Sequence, residues 1–209
     1  MVSQLIGGNN LDWPRKYQWC DDVDRWMLFV DGENVTIQAQ KIAKGKGIDL
    51  EQGDHYEKDC FIWPVGMFHP QIVGFLNMPK RSYYYTSVVG DDEKSLDIKE
   101  RLWKIGFDPQ VFKKEKKRPA KAVDITLAKD VLCHAFRDNY DVAVLVAGDS
   151  DYLPLIEEVK RLGKLVLLAF HSDTTIYPEL IIAADFFKGI VFDCSLPPSA
   201  RDDQGSIHT

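Results

Sequence analysis

Cysteine is scarce in this 209-residue chain and follows no pattern: Cys20, Cys60, Cys133 and Cys194 stand apart, with no C-x-x-C spacing. That usage fits reduced, unligated thiols in a cytoplasmic protein. Long apolar runs are missing too; none approaches the ~18 residues a membrane span needs. The first ten residues, Met-Val-Ser-Gln-Leu-Ile-Gly-Gly-Asn-Asn, lack a basic stretch and a long apolar one, so no signal peptide is expected. Positive charge is not in excess. The formal net charge of −6 argues against a purely electrostatic nucleic-acid binder. It leaves room for a nuclease, because an acidic metal-binding cluster adds to the deficit. Neither a G-x-x-x-x-G-K-[ST] loop nor a G-x-G-x-x-G fingerprint after a strand is present. What the chain does have is 45% hydrophobic residues, enough for a true core. Its length suits one α/β domain, with or without appendages.

Residues 1–22 read as a polar N-terminal extension carrying Trp13, Tyr17 and Trp19, either docked on the domain or a partly ordered tail. The domain proper spans residues 23–195. Its first strand, residues 26–30, is a short buried apolar run that stops at Asp31, where Gly32 forces a turn. A short helix follows over 35–44, with Asn34 as its N-cap. Residues 45–81 are rich in Gly and Pro and long for a connection. They read as an insertion with a short strand or hairpin of its own, a lid over the site or an inert addition. Further strands are expected at 81–89, 107–112, 141–147, 165–170 and 190–192. Helices are expected at 94–104, 122–138, 152–162 and 175–187. Residues 196–209 form a polar tail. The alternation of strands and helices implies an α/β fold, a parallel sheet with helices on both faces.

Two of the strongest strands end in acids. Asp31 follows the first; Asp149, Ser150 and Asp151 follow the unbroken apolar strand 141–147. Asp124 opens the helix leading into that second strand, in a row with Ala128, Val131 and Ala135 on the apolar face. A helix runs antiparallel to the strand after it, so its start lies near that strand's carboxyl end. The four carboxylates therefore converge at one edge of the sheet, where α/β folds hold their ligands. Clustered carboxylates repel one another unless a cation sits among them. Hard oxygen ligands without His or Cys select Mg²⁺ or Mn²⁺. Asn34 orients a water or a phosphate oxygen without adding charge, and Ser150 offers a hydroxyl. The reaction class is metal-assisted phosphodiester hydrolysis. The run Lys113, Lys114, Glu115, Lys116, Lys117, Arg118 precedes the Asp124 helix, as a solvated loop or a phosphate-contacting one. Lys129 and Asp130 read as solvated, Glu33 is left unassigned as a solvent-facing residue, and Tyr83 to Tyr85 divide between stacking and core.

Val30-Asp31-Gly32-Glu33-Asn34, Lys121-x-Val123-Asp124 and Gly148-Asp149-Ser150-Asp151-Tyr152 together resemble the signature blocks of the NYN domain, in the LabA-like branch of the PIN-like nuclease superfamily. The resemblance covers roughly residues 24–193, with the blocks in family order. It implies a PIN-like three-layer α/β/α sandwich with a mostly parallel sheet and a metal-dependent ribonuclease site. Asp31, Asp124, Asp149 and Asp151 match the acidic metal-binding positions, and Asn34 the Asn of the first block. Asp185, in Ala-Ala-Asp-Phe-Phe, is similar to a late acidic position and joins Ser150 as a supporting residue.

The expectation is thus an endoribonuclease acting on single-stranded RNA through Mg²⁺ or Mn²⁺, soluble and cytoplasmic, with a homodimer compatible. Lys113, Lys114, Lys116, Lys117, Arg118 and Lys121 would track the RNA backbone. The alternatives are a non-catalytic RNA-binding or regulatory module and another phosphoryl-transfer hydrolase. Glu33, two residues after Asp31, meets only part of the pattern of a haloacid-dehalogenase-like phosphatase.

Overall fold

Strand-sized apolar runs alternating with amphipathic helices give, in the computed structural model, an ordered series of β-α units. The structure describes residues 25–50, 55–63, 77–114, 121–174 and 176–190, without the side chain of Lys121. The N-terminal extension, the polar tail and Lys116, Lys117 and Arg118 lie outside the described residues. In chain order the elements are β1 (Trp26–Asp31), α1 (Gly32–Lys46), a hairpin of β2 (Tyr56–Glu57) and β3 (Phe61–Ile62), β4 (Arg81–Val88), α2 (Asp92–Lys104) and β5 (Asp108–Lys113). Then come α3 (Lys121–Phe136), β6 (Val142–Val146), a 3₁₀ turn (Ser150–Tyr152), α4 (Leu153–Arg161), β7 (Leu165–His171), α5 (Pro178–Ala183) and β8 (Phe186–Ile190).

Six strands form one sheet in the order β5-β4-β1-β6-β7-β8, and every pairing is parallel. β1 is central and buried along its whole length. From β1 the chain steps outward to β4 and β5, then returns to the other side of β1 and steps outward again through β6, β7 and β8. Right-handed crossovers in opposite directions place their helices on opposite faces. α1 and α2 accordingly cover one face, and α3, α4 and α5 the other, the PIN-like sandwich. The strand order reverses between β1 and β6, which opens a crevice at their carboxyl ends. Among the described residues no helix is long and apolar enough to cross a membrane.

Four local expectations need correction. The first helix starts at Gly32, and its N-cap is Asp31, whose side chain accepts the Asn34 N–H; Asn34 is already inside the helix. Gly32 does not turn the chain by a left-handed φ. It is glycine because the Tyr84 ring lies against it: a Cβ there would sit 1.9 Å from that ring. The expected helix 175–187 is only Pro178–Ala183; Phe186 and Phe187 begin β8, because Phe186, Phe187 and Ile190 fit either period and the backbone N–H of Asp185 bonds to Val166 in β7. Of the expected insertion, the described hairpin is no lid. Cys60, Phe61, Ile62 and Trp63 are buried in the core, and Tyr84 Oη holds both backbone groups of Ile62.

Candidate functional site

Asp31 ends β1 and is 3% exposed. Its Oδ1 accepts the Asn34 N–H at 3.1 Å, so one oxygen is fixed by the helix it caps. Its Oδ2 accepts the Tyr152 hydroxyl at 2.9 Å. The same hydroxyl lies 3.2 Å from Asp124 Oδ1, in the first turn of α3. Tyr152 thereby joins two carboxylates delivered by elements distant in sequence. Asn34 Oδ1 accepts the Gly148 N–H at 3.2 Å and stitches the end of β1 to the end of β6. Gly148 is glycine for packing: a Cβ would meet the Phe170 ring at 2.2 Å. Asp149 caps the 3₁₀ turn through its Oδ1, which accepts the Asp151 N–H at 3.1 Å.

The charges at this edge are poorly compensated. Burial pushes the Asp31 carboxyl up to about 7, with the nearby negative charges of Asp124 and Glu33 adding to it against the hydrogen bonds from Asn34 and Tyr152. Asp124 is also raised, first by desolvation and then by the charges of Asp149, Glu33 and Asp151. Among the described residues, none of Asp31, Asp124, Asp149 and Asp151 forms an ion pair. Tyr152 sits between two anions in a buried setting, which holds its hydroxyl in the protonated, donating form.

Asp31 and Asp124 meet on Tyr152, and Asp149 and Asp151 stand within electrostatic reach of Asp124. Still, among the described residues no three His, Cys, Asp or Glu groups are arranged to hold a metal ion. Asp124 is exposed and lies at the solvent end of the α3 row that continues into Val131 and Ala135, where the sequence pattern suggested a buried acid. The donor set itself is of the kind a divalent cation takes. It is all oxygen, it holds a buried carboxylate whose charged form is disfavoured, and no cation among the described residues answers it.

Other expected residues fall elsewhere. Asp185 is at the opposite end of the sheet. Its Oδ2 accepts the Val166 N–H at 2.9 Å near the start of β7, and its Oδ1 pairs with Lys160 at 3.3 Å; a strand's first residue lies far from its carboxyl edge. Ser150 stays at the site, half-buried in the 3₁₀ turn. Glu33 is no solvent-facing residue: it accepts the Ser87 hydroxyl at 2.6 Å and pairs with Lys114 at 2.6 Å. Lys113 pairs with Asp92. Asp130 accepts the Tyr85 hydroxyl at 3.1 Å and pairs with Lys129, so it is not simply solvated. Tyr84 and Tyr85 are fully buried and Tyr83 hydrogen-bonds His134, which removes the first two as stacking platforms. Tyr152 is the site residue that sequence reasoning passed over; its place at the end of the Gly148–Tyr152 block was the available signal.

The NYN domain family model matches residues 25–190 of the chain. Among solved structures, the crystal structure of a protein of unknown function from Vibrio parahaemolyticus is similar, with a TM-score of 0.58 and 17% identity over 85% of this chain and 98% of that one. That likeness is one of fold. No curated protein matches.

Proposed function

The chain belongs to the NYN domain family, and from that membership we propose that it is a metal-dependent endoribonuclease cutting single-stranded RNA in the cytoplasm. The observation that carries the reading is the meeting of Asp31 and Asp124 on Tyr152 at the switch point of the sheet, with Asp149 and Asp151 beside them. Asp31, Asp124, Asp149 and Asp151 would hold Mg²⁺ or Mn²⁺, which when bound supplies charge neutralisation at the phosphate and a water acidic enough to attack it. Asn34 spends its side-chain carbonyl on Gly148 and keeps its NH₂ as a donor for a phosphate oxygen. Ser150 adds a hydroxyl at the same rim. Lys113, Lys116, Lys117, Arg118 and Lys121 steer the RNA backbone toward the acids, while Lys114 stays on Glu33.

The test is cleavage of a pool of single-stranded RNAs in Mg²⁺, Mn²⁺ or EDTA, run beside Asp149→Asn and Asp124→Asn. Cleavage is expected with metal in the wild type and in neither variant. Cleavage that survives EDTA and both substitutions would sink the reading. RNA binding without cleavage under any metal favours the non-catalytic module, to which the lack of a three-carboxylate group among the described residues lends support. Light scattering of the same samples decides between monomer and homodimer.

A further inference from the structure

Tyr152 is a core side chain by burial, 3% exposed, yet its hydroxyl is not used on the backbone. It points at two carboxylates, 2.9 Å from Asp31 and 3.2 Å from Asp124. Among the described residues, Tyr152 is the only hydrogen-bond partner of the Asp124 side chain. A phenylalanine would fill the same core and leave that carboxylate to solvent, with no donor among the described residues. The hydroxyl has one hydrogen, so it donates to one acid at a time while keeping both within its reach. It also links three elements: the end of β1, the first turn of α3 and the 3₁₀ turn after β6.

We propose that Tyr152 is a positioning residue whose hydroxyl holds Asp31 and Asp124 at the spacing from which both grip one divalent cation. The proposal rests on the metal-site reading above. Partners that orient metal ligands from behind typically govern roughly 10–100-fold of metal affinity.

The experiment is Mn²⁺ binding by calorimetry to the wild type and to Tyr152→Phe, with circular dichroism and melting in EDTA to establish that each is folded. Tyr152→Phe is expected to bind Mn²⁺ about 10-fold or more weaker, and the electron paramagnetic resonance spectrum of the bound ion is expected to change. A merely structural Tyr152 would lower the melting temperature and leave the affinity of the folded protein alone. Equal affinity and an unchanged spectrum overturn the proposal. A wild type that binds no Mn²⁺ overturns the metal-site reading itself, and this inference with it. Should Tyr152→Phe fail to fold, 3-fluorotyrosine at position 152 keeps ring and hydroxyl. Its fluorine resonance is expected to move on adding Mg²⁺, and a fixed resonance in protein shown to bind the ion overturns the proposal.

Discussion

At the amino ends of the strands, Asp108 faces Arg81, Asp138 faces Arg25 and Lys164, Asp141 faces the same two cations, and Asp185 faces Lys160. At the carboxyl ends Asp31, Asp124, Asp149 and Asp151 face no cation among the described residues. One sheet thus treats the same side chain in two ways. Lys164 and Arg25 hold the Asp138 carboxyl below the ordinary range, whereas burial lifts Asp31 to about 7 and lifts Asp124 as well. The amino edge shows that this fold has the means to neutralise its acids. Uncompensated charge at the other edge is therefore a property of the switch-point crevice, and it is the condition under which an external cation binds.

The largest expected effect sets matched substitutions at the two ends against each other. Asp124→Asn is expected to abolish RNA cleavage, and Asp108→Asn to leave it unchanged. Equal losses in a cleavage assay would break the contrast.

Stability in EDTA gives the next effect. Below about pH 4 the Asp31 carboxyl is protonated whether the chain is folded or not, so it costs nothing. As pH rises through 7 the folded state must give up a proton it holds more tightly than the unfolded chain does. Stability is lost across that window, on the order of 4 kcal/mol at about 1.4 kcal/mol per unit of pKa difference. Asp31→Asn retains the cap and should escape that loss, so the wild type falls behind it between pH 4 and 7. Asp138, with its depressed carboxyl, behaves oppositely: its contribution is present above the unfolded pKa and lost as pH falls. Melting curves of the wild type, Asp31→Asn and Asp138→Asn, taken from pH 7 to well below pH 4, check both signs, because the Asp138 contribution is lost only below its unfolded pKa. Parallel curves would mean that the edges do not differ.

A smaller shift comes from adding the ion. Mn²⁺ at a hundred times its Kd stabilises the folded state by about 2.7 kcal/mol. The wild type is expected to show that rise in melting temperature and Asp124→Asn to show much less of it. An equal rise would place the bound ion away from Asp124.

The sequence made the sheet legible because its strands are apolar runs of the right length, and the acids at their ends mark the edge of the proposed site. Asp31, Asp149 and Asp151 were picked out by asking where strands stop, and Asp124 by asking where the helix before such a strand begins. Asp185, included on the family resemblance alone, precedes its strand and so lies at the amino edge; in a parallel sheet, the side of the strand on which an acid falls decides its place. The final helix was over-extended because Phe186, Phe187 and Ile190 satisfy two periods, and only pairing with β7 separates them. Tyr152, marked only by its place in the Gly148–Tyr152 block, and Glu33 were missed for another reason. A tyrosine's ring announces core, while the partner of its hydroxyl is set by tertiary geometry. Glu33 gains Ser87 from β4 and Lys114 from just past β5, both far along the chain.

The two adjacent lysines that open the basic run yield the smallest effect and carry the same contrast at the end of β5. Lys113 is exposed, and its partner Asp92 is almost wholly so. Exchanging that acid for an RNA phosphate leaves nothing buried behind. Lys114 is mostly covered, and Glu33 beneath it also holds Ser87. Leaving Glu33 for a phosphate would strand a half-buried carboxylate beside Asp31 and Asp124, where negative charge is already in surplus. Lys113→Ala is therefore expected to reduce the salt slope of RNA binding by about 1 with no change in melting temperature. Lys114→Ala should leave that slope alone and destabilise the fold by roughly 1–2 kcal/mol. The reverse result would make Lys114 the residue that meets the phosphate. Glu33 would then be a store for a substrate-facing cation, and the carboxyl edge would contain its own means of compensation.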